Sequence, residues 1–251
     1  MTGSILGPIE PEQRRQARMA IEHFVREGLL RGLNESRGGQ VRFLQIGGHD
    51  GRMGDPLLSW HAAHPWTGAI VEPVPIYFAA LEELHRAGSR IRTVPCAVSD
   101  REGTLDLWHV APHAAARYPA WTSGIASTDR GHLERHGIGP GDCACVTVPC
   151  VTPATLIERM GSPEALDLLV LDVEGHELPI IRGFPVDRVD VAVIMLEAWH
   201  LSQSERAELR DWSARTGRRL FILGEDAVLV REGDALRAGF LAEMQRLLDA
   251  L

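Results

Sequence analysis

Short apolar runs alternate with longer amphipathic segments along most of the chain. Runs of strand length are separated by stretches with helical periodicity, and each run ends at a polar or glycine-containing turn. Such alternation is typical of a parallel, doubly wound sheet with right-handed crossovers. We therefore predict an α/β fold with core strands over residues 41–46, 68–71, 91–98, 168–171 and 189–196. The predicted helices between them cover residues 55–64, 75–87 and 202–216, with shorter ones from 153 onward and after 175.

The two ends of the chain depart from this alternation. Residues 218–223 and 227–231 are apolar runs joined by a short link that contains Gly224. Such a link predicts a hairpin, so the last strand is expected to run antiparallel to its neighbours. The expected organisation is a helix or a pair of helices over 11–33 within an N-terminal extension (1–40), a main domain (41–251) and a terminal helix over 236–251.

The region between the third and fourth core strands has little periodicity. Residues 104–110 alternate and predict an added edge strand, and residues 145–150 predict a further short strand. Residues 111–141 between them are rich in Gly, Pro, His and Ala. A loop of that length is usually a lid or a binding segment, and we expect it to select the substrate.

Composition narrows the class of partner. The chain has 251 residues and a net charge of −8, with basic residues scattered rather than clustered, which argues against binding nucleic acid. No apolar run approaches the roughly 18 residues that span a bilayer, and the first residues do not resemble a signal peptide. The four cysteines contain no Cys-x-x-Cys pair, so reduced thiols in a cytoplasmic protein are favoured over a zinc site.

The stretch 166–176, Leu-Asp-Leu-Leu-Val-Leu-Asp-Val-Glu-Gly-His, carries the strongest chemical signal. Its apolar run suits a strand buried on both faces, and Asp172 and Glu174 follow at the carboxyl end of that strand. Ligands of open α/β sheets bind at that edge. Because an unpaired carboxylate is costly to bury, these acids need a partner, which is a metal, a cation or a substrate hydroxyl.

A glycine-rich turn, Gly-Gly-His-Asp-Gly (47–51), follows the first strand and lets backbone amides approach a ligand. Glu72 ends the second strand, where an acid accepts hydrogen bonds from ribose hydroxyls. The end of the third strand, at Ala97 and Val98, would flank an adenine. No phosphate-binding motif accompanies these residues, and this favours S-adenosylmethionine over a dinucleotide or ATP.

The chain resembles the FkbM family of S-adenosylmethionine-dependent methyltransferases. Six stretches occur in family order, with one departure at His49, where the family more often has Asn. They are Phe-Leu-Gln-Ile-Gly-Gly-His-Asp-Gly (43–51), Asp-Pro-Leu (55–57), Ala-Ile-Val-Glu-Pro-Val-Pro (69–75), Thr-Ser-Gly-Ile-Ala-Ser (122–127), Leu-Asp-Leu-Leu-Val-Leu-Asp-Val-Glu-Gly-His-Glu (166–177) and Met-Leu-Glu-Ala-Trp-His-Leu-Ser (195–202).

The resemblance implies a class I methyltransferase fold, which is Rossmann-like, and O-methylation of a small molecule such as a polyketide, a sugar or another specialised metabolite. It also implies that the segment 122–127 closes over the cofactor or substrate, with Ser127 as a contact. The expected cofactor-binding residues are Gly47, Asp50, Gly51, Asp55, Glu72, Pro73, Ala97, Val98, Ser127 and Asp172.

Methyl transfer to a hydroxyl needs a general base, a metal that lowers the pKa of the hydroxyl, or both. By similarity to metal-dependent sugar methyltransferases that act on macrolides, we assign Asp172 and Glu197 to a metal, with His200 as a further ligand. Oxygen ligands with an imidazole suit Mg²⁺ or Mn²⁺. His176 is the expected base, because imidazole titrates near neutral pH.

Other interpretations stay open at this point. Glu174 could cap the next helix or bind backbone amides, and His200 could serve only to order its loop. The spacing of the remaining histidines predicts nothing. The chain could also be a metal-independent methyltransferase with His176 or Asp172 as base, or a non-catalytic cofactor-binding partner subunit. The sequence names neither the methyl acceptor nor the oligomeric state, and a homo-oligomer is one of the options.

Overall fold

The computed structural model describes residues 11–86, 90–234, 241 and 245–246. The helices are α1 (Pro11–Ser36), α2 (Leu58–Ala63), α3 (Pro75–His85), α4 (Arg130–Arg135), α5 (Pro153–Arg159), α6 (Glu177–Gly183) and α7 (Gln203–Arg215). The strands are β1 (Arg42–Ile46), β2 (Thr67–Val71), β3 (Ile91–Val94), β4 (Ala97–Val98), β5 (Gly103–Val110), β6 (Ala126–Ser127), β7 (Cys143–Val151), β8 (Ala165–Leu171), β9 (Asp190–Glu197), β10 (Arg218–Leu223) and β11 (Asp226–Arg231).

A seven-stranded sheet in the order β10-β11-β9-β8-β1-β2-β3 forms the centre of the fold. The strands from β3 to β9 in this order are parallel, whereas β11 is antiparallel to both β9 and β10. The doubly wound, mostly parallel sheet with an antiparallel last strand is therefore confirmed. The predicted hairpin is the pair β10 and β11.

Both faces of the sheet are covered, because alternate side chains of each strand enter opposite cores. On one face, Leu44 and Ile46 of β1 pack with buried residues of α5, α6 and α7. On the other face, Phe43 packs with Leu81 of α3 and with Leu30 of α1. The N-terminal helix thus contributes to the main core, and the boundary at residue 40 stays a prediction.

A separate four-stranded sheet, in the order β4-β7-β5-β6, lies beside the central one and was not predicted. The strand expected at 104–110 is present as β5, but it is not an edge strand, because it pairs with β7 along its whole length inside the small sheet. The expected third strand is also divided into β3 and β4. Pro95 lies between them, and proline has no N–H to donate to a strand ladder.

The segment 111–141 is more ordered than a loop. It contains two short 3₁₀ turns, β6, α4 and the start of a third 3₁₀ turn at Pro140, and these surround a small core of apolar residues. The core has no regular sequence period, and this is why the pattern predicted no elements. The core residues are Val110, Ala111, Ala114, Ile125, Leu133 and Ile138.

Local signals predicted helix starts well. Ser202 and Glu205 form the predicted capping box of α7, and Thr152 Oγ1 accepts a hydrogen bond from the Thr155 amide at the start of α5. The helix expected over 55–64 begins at Leu58. The predicted terminal helix over 236–251 lies almost entirely outside the described residues. Among the residues that the structure describes, no helix combines the length and apolar character needed to cross a bilayer.

Candidate active site

A cleft of about 910 Å³ opens at the carboxyl ends of β1, β2 and β8, with the small sheet as its far wall. This is the edge at which doubly wound sheets bind ligands. Many of the residues predicted from the sequence line it together. They are Gly47, Asp55, Glu72, Pro73, Ala97, Val98, Asp172 and His176.

The glycine turn after β1 is in close contact with the chain that leaves β8. Gly47 has a φ of 90°, and a Cβ atom at this position would lie 1.7 Å from the main-chain oxygen of Asp172. The Asp172 amide donates to the Ile46 carbonyl at 3.0 Å and holds the two segments side by side. Only glycine fits here, and its small size creates a cradle that a ligand can approach.

Glu72 lies at the end of β2 and is 5% exposed. Its Oε2 accepts a hydrogen bond from the His49 amide at 2.9 Å, and its Oε1 accepts one from the Val74 amide at 2.8 Å. Burial raises the pKa of this carboxyl to about 7. Because a carboxylate oxygen can accept more than one hydrogen bond, Glu72 can still receive two hydroxyls from the cleft.

Near Asp55 and Gln45, the cleft contains buried oxygen atoms that lack a hydrogen-bond donor. Asp55 Oδ1 accepts hydrogen bonds from the amides of Leu57 and Leu58, whereas its Oδ2 is buried without a hydrogen-bond partner. Gln45 Oε1 lines the same cleft and also lacks a hydrogen-bond partner. Burial raises the pKa of Asp55 to about 6. An ammonium group bound here would satisfy both oxygens.

The wall formed by β4 and β5 is apolar and suits a flat ring. It is lined by Cys96, Ala97, Val98, Leu105 and Leu107. The residues around the cleft therefore offer an apolar slot, a carboxylate for two hydroxyls and an acceptor for an ammonium. This is the chemistry that S-adenosylmethionine requires, and the site fits that cofactor.

Three residues of the predicted cofactor set do not line the cleft. Asp50 Oδ1 accepts hydrogen bonds from the amides of Arg52 and Met53, so it folds the loop. Gly51 lies against α3, where an added Cβ would be 2.7 Å from a Leu81 methyl carbon. Ser127 Oγ donates to the Glu174 carbonyl at 3.3 Å and joins β6 to the turn after β8.

A cluster of imidazoles and carboxylates borders the cleft. Glu174 Oε2 lies 3.0 Å from His132 Nε2 and 3.7 Å from His200 Nε2. Glu197 Oε2 lies 2.7 Å from His200 Nε2, while its Oε1 accepts a hydrogen bond from Trp199 Nε1. We call His132, Glu174, Glu197 and His200 the His–Glu cluster. It joins α4, the turn after β8 and the end of β9.

Asp172 extends the negative charge of this cluster toward the cofactor cleft. Its side chain opens into the cleft, and its oxygen atoms can share a ligand with those of Glu174 and Glu197, since one ligand atom from each lies within 4.8 Å of the others. Burial and the neighbouring carboxylates of Glu197 and Glu174 raise the pKa of Asp172 well above its usual range. Such crowding of carboxylates favours a bound cation.

Glu177, and not Glu174, accepts hydrogen bonds from backbone amides in the turn after β8, a role that the sequence had left open for Glu174. It is fully buried, and its Oε1 accepts hydrogen bonds from the amides of Val173 and Gly175. Burial raises the pKa of Glu177 to about 7. The Glu174 carboxylate is therefore free to face His132. Its backbone has a φ of 54°, a conformation unfavourable for a residue with this side chain.

His176 lies apart from the His–Glu cluster. Its Nε2 is 2.8 Å from Ser99 Oγ, and Ser99 Oγ donates to Asp100 Oδ1 at 3.1 Å. Burial lowers the pKa of His176, and the charged groups that act on it are Asp100 and Arg101. Its role as a base stays a prediction. Sequence reasoning missed His132, which meets Glu174 only because the chain folds back across 42 residues.

A second cavity meets the cofactor cleft at Glu174. It has a volume of about 880 Å³ and is open to solvent. Its walls include the His–Glu cluster residues His132 and His200 and the 42% exposed ring of Trp199. A small molecule in this cavity would reach the cofactor cleft at Glu174.

The profile of the Methyltransferase FkbM domain matches residues 45–220. No curated protein sequence matches the chain. Among solved structures, the chain is similar to the methyltransferase FkbM from Methylobacillus flagellatus KT, with 13% identity and a TM-score of 0.46. That match covers 76% of this chain and 44% of the other, so the chain spans less than half the length of that protein.

Two further structures have the same kind of similarity. Human methyltransferase-like protein 13 in complex with SAH is 11% identical, with 93% and 90% of the two chains covered and a TM-score of 0.46. Fibrillarin from Aeropyrum pernix with natively bound S-adenosyl-L-methionine is 12% identical, with 75% and 65% covered and a TM-score of 0.37. Such low identities and TM-scores say nothing about the substrate of this chain.

The close contact at Gly47 gives a prediction about stability. Gly47→Ala places a methyl group against the Asp172 carbonyl, whereas Gly54→Ala, also at positive φ, meets nothing within 4 Å. Gly54→Ala should cost about 1 kcal/mol of unfolding free energy, the ordinary penalty of a left-handed backbone. Gly47→Ala should cost at least about 2 kcal/mol more. Urea unfolding measures both, and equal costs would show that the contact is easily relaxed.

Proposed function

The chain belongs to the FkbM family of methyltransferases, and on that premise we propose that it transfers a methyl group from S-adenosylmethionine to a hydroxyl of a small molecule, assisted by a divalent metal. The observation that carries this proposal is the position of Glu174, where the cofactor cleft meets the second cavity. A polyketide, a sugar or another specialised metabolite is the proposed acceptor class. The net charge of −8 supports a partner other than nucleic acid.

The proposed cofactor contacts follow the chemistry of the cleft. Glu72 accepts the ribose hydroxyls, Ala97 and Val98 pack against the adenine, and Asp55 receives the ammonium group. Bound in this way, S-adenosylmethionine supplies a methyl group on a positively charged sulfur. The apolar wall excludes water from the adenine side, and the Gly47 turn holds the ligand against the sheet edge.

The proposed acceptor site is the second cavity. The half-exposed Trp199 ring offers an apolar surface on which a sugar or an aromatic ring can stack. The His–Glu cluster supplies the polar groups that orient the hydroxyl. Orientation alone accounts for much of the rate of a transfer between two bound molecules.

An alcohol becomes a good nucleophile only when it loses its proton. An ion held by Asp172 and Glu197, with His200 as a further ligand, would lower the pKa of the acceptor hydroxyl. One ligand atom from each of Asp172, Glu174 and Glu197 lies within 4.8 Å of the others, which supports an ion at these carboxylates. In this proposal His176 accepts the proton. The alternative is a metal-independent reaction in which Asp172 or His176 is the base. The crowded carboxylates, which a cation would neutralise, favour the metal-assisted form and speak against a non-catalytic partner subunit.

We also propose a cytoplasmic location. All four cysteines, Cys96, Cys143, Cys145 and Cys150, are free thiols, as is usual for proteins of a reducing compartment.

The role of Glu72 predicts how cofactor affinity depends on pH. Ribose hydroxyls donate to the ionised carboxylate, so protonation competes with binding. With a pKa of about 7, the affinity for S-adenosylhomocysteine should be nearly constant above that pH and weaken by up to about tenfold per pH unit below it. Calorimetry from about pH 8 to about pH 5.5 measures this. Glu72→Gln should bind more weakly with a flatter profile, and an unchanged profile would assign the effect to another group.

The role of Asp172 predicts a separation of stability from activity. Asp172→Ala should lower turnover by about 10²-fold or more, while the thermal midpoint stays equal or rises because carboxylate repulsion is relieved. Turnover is measured with the best acceptor from a panel of hydroxylated small molecules, and exposed Asp211→Ala on α7 is the control. Near-normal activity of Asp172→Ala would contradict the assignment.

The same turnover assay tests whether methyl transfer requires a divalent metal. Dialysis against EDTA should inactivate the wild type, and added Mg²⁺ or Mn²⁺ should restore it. A rate unaffected by chelation would leave the metal-independent reaction in place.

A further inference from the structure

The His–Glu cluster contains two imidazoles, and this changes which ion the site would hold. His132, Glu174 and His200 each offer one ligand atom, and the three atoms lie within 4.8 Å of one another. Tetrahedral ligands about 2.0–2.1 Å from one ion lie about 3.3 Å apart. The distances of 3.0 and 3.7 Å from Glu174 Oε2 to the two Nε2 atoms are on either side of this value.

We propose that His132, Glu174 and His200 bind a transition-metal dication such as Mn²⁺, Fe²⁺, Co²⁺ or Zn²⁺, with Glu197 orienting His200, and that this ion fastens the segment 111–142, which joins β5 to β7, to the edge of the large sheet. The proposal deepens the metal-assisted function: it keeps His200 as a ligand, adds His132 and Glu174, and leaves Asp172 to the acceptor. It rests on that function for the catalytic use of the ion, whereas the binding site itself rests on the three side chains.

The enclosure of the ligands supports a metal site. The side chains of His132 and His200 are 5% and 9% exposed, and those of Glu174 and Glu197 are 19% and 22% exposed. Both Nε2 atoms point to the same carboxylate oxygen, so an ion between them would be shielded from bulk water on most sides. Buried charges of this kind are stable when they are paired or coordinate a metal.

Hydrogen bonds and packing around the His–Glu cluster orient its side chains. Glu197 Oε1 accepts the Trp199 indole N–H at 2.7 Å, so its Oε2 is directed to His200. On the other side, Asp129 caps α4 by accepting from the Gly131 amide, and Leu133 is fully buried. These contacts fix the position of His132 between them. Partners that orient metal ligands in this way are typical of functional metal sites.

The donor set selects the class of ion. An all-oxygen site suits Mg²⁺, whereas sites with imidazole nitrogen bind transition-metal dications more tightly, increasingly so from Mn²⁺ toward Zn²⁺. The sequence assigned Asp172, Glu197 and His200 to a metal. The structure brings His132 to Glu174 beside His200, and the site then has two nitrogen ligands and one carboxylate. Asp172 is closer to the cofactor cleft and remains available to the acceptor.

A metal at this position has a structural consequence. His132 is the contribution of the segment 111–142, and Ser127 of the same segment already contacts the Glu174 carbonyl. An ion shared by His132, Glu174 and His200 would hold the segment at the wall of the second cavity, which these three residues line. Metal binding should therefore shape the acceptor site as well as supply charge to it.

The experiment measures metal binding and segment mobility on the full chain, without need of an acceptor. After dialysis against EDTA, calorimetry with Mn²⁺, Zn²⁺ and Mg²⁺ should give one site per chain, with Mn²⁺ and Zn²⁺ at least about tenfold tighter than Mg²⁺. His132→Ala and His200→Ala should each weaken Mn²⁺ binding by more than about tenfold. His113→Ala, an exposed histidine of the same segment, should bind as the wild type does.

Hydrogen exchange supplies the second readout. Added Mn²⁺ should slow amide exchange within residues 111–142 in the wild type and in His113→Ala, but not in His132→Ala. Binding of S-adenosylhomocysteine shows that each variant is folded, and His132→Asn serves if His132→Ala is not.

Three results would overturn the inference. Equal affinity for Mg²⁺ together with normal binding by His132→Ala would assign the ion to Asp172, Glu174 and Glu197. If none of the three ions binds, the cluster is a hydrogen-bonded network and not a metal site. Unchanged exchange in the segment 111–142 on metal binding would remove the fastening role. The proposed function fails separately, through loss of S-adenosylhomocysteine binding or of methyl transfer.

Discussion

The main-chain oxygen of Asp172 occupies the space in which a Gly47 side chain would lie, and the rest of the site depends on this contact. It brings the glycine turn after β1 against the turn after β8. The first turn borders the cofactor cleft, and the second carries Asp172 and Glu174. A binding surface and a set of reactive carboxylates therefore share one wall, held in register by the parallel pairing of β1 and β8.

The second constraint is the repulsion between the carboxylates of the site, which lowers the stability of the folded chain. Asp172, Glu174, Glu177 and Glu197 lie within a small volume, and burial together with the repulsion from the other carboxylates raises the pKa of Asp172. The negative charge of Glu177 is stabilised by a hydrogen bond from a backbone amide, and that of Glu197 by hydrogen bonds with Trp199 and His200. The negative charge that is not offset in this way lies between the cofactor cleft and the second cavity. Strained or crowded groups of this kind are retained where they serve function.

The sequence predicted the features that depend on local pattern. The uninterrupted apolar run of β8 identified a central strand, and strand-end positions identified Glu72, Asp172 and Glu197. The Ser202 capping box and the β10–β11 hairpin also rest on short-range chemistry. Each of these signals lies within a few residues, so one sequence is enough to recognise it.

Features that depend on long-range contacts could not be predicted. The pairing of β5 with β7 joins strands across the segment 111–141, whose small core has no period to detect. His132 is a candidate site residue only because it lies close to Glu174 and His200, which are distant from it in sequence. The exchange of roles between Glu174 and Glu177 depends on how one turn bends, at the unusual φ of Glu174.

The most direct test of the account is a crystal structure with S-adenosylhomocysteine and Mn²⁺, in which anomalous scattering locates the ion. The account predicts that the ribose hydroxyls contact Glu72, that the sulfur faces Glu174, and that the ion lies between His132, Glu174 and His200. A ligand bound outside the cleft, or one with its sulfur directed away from Glu174, would contradict it. An ion bound only at sites remote from the His–Glu cluster would contradict the metal assignment.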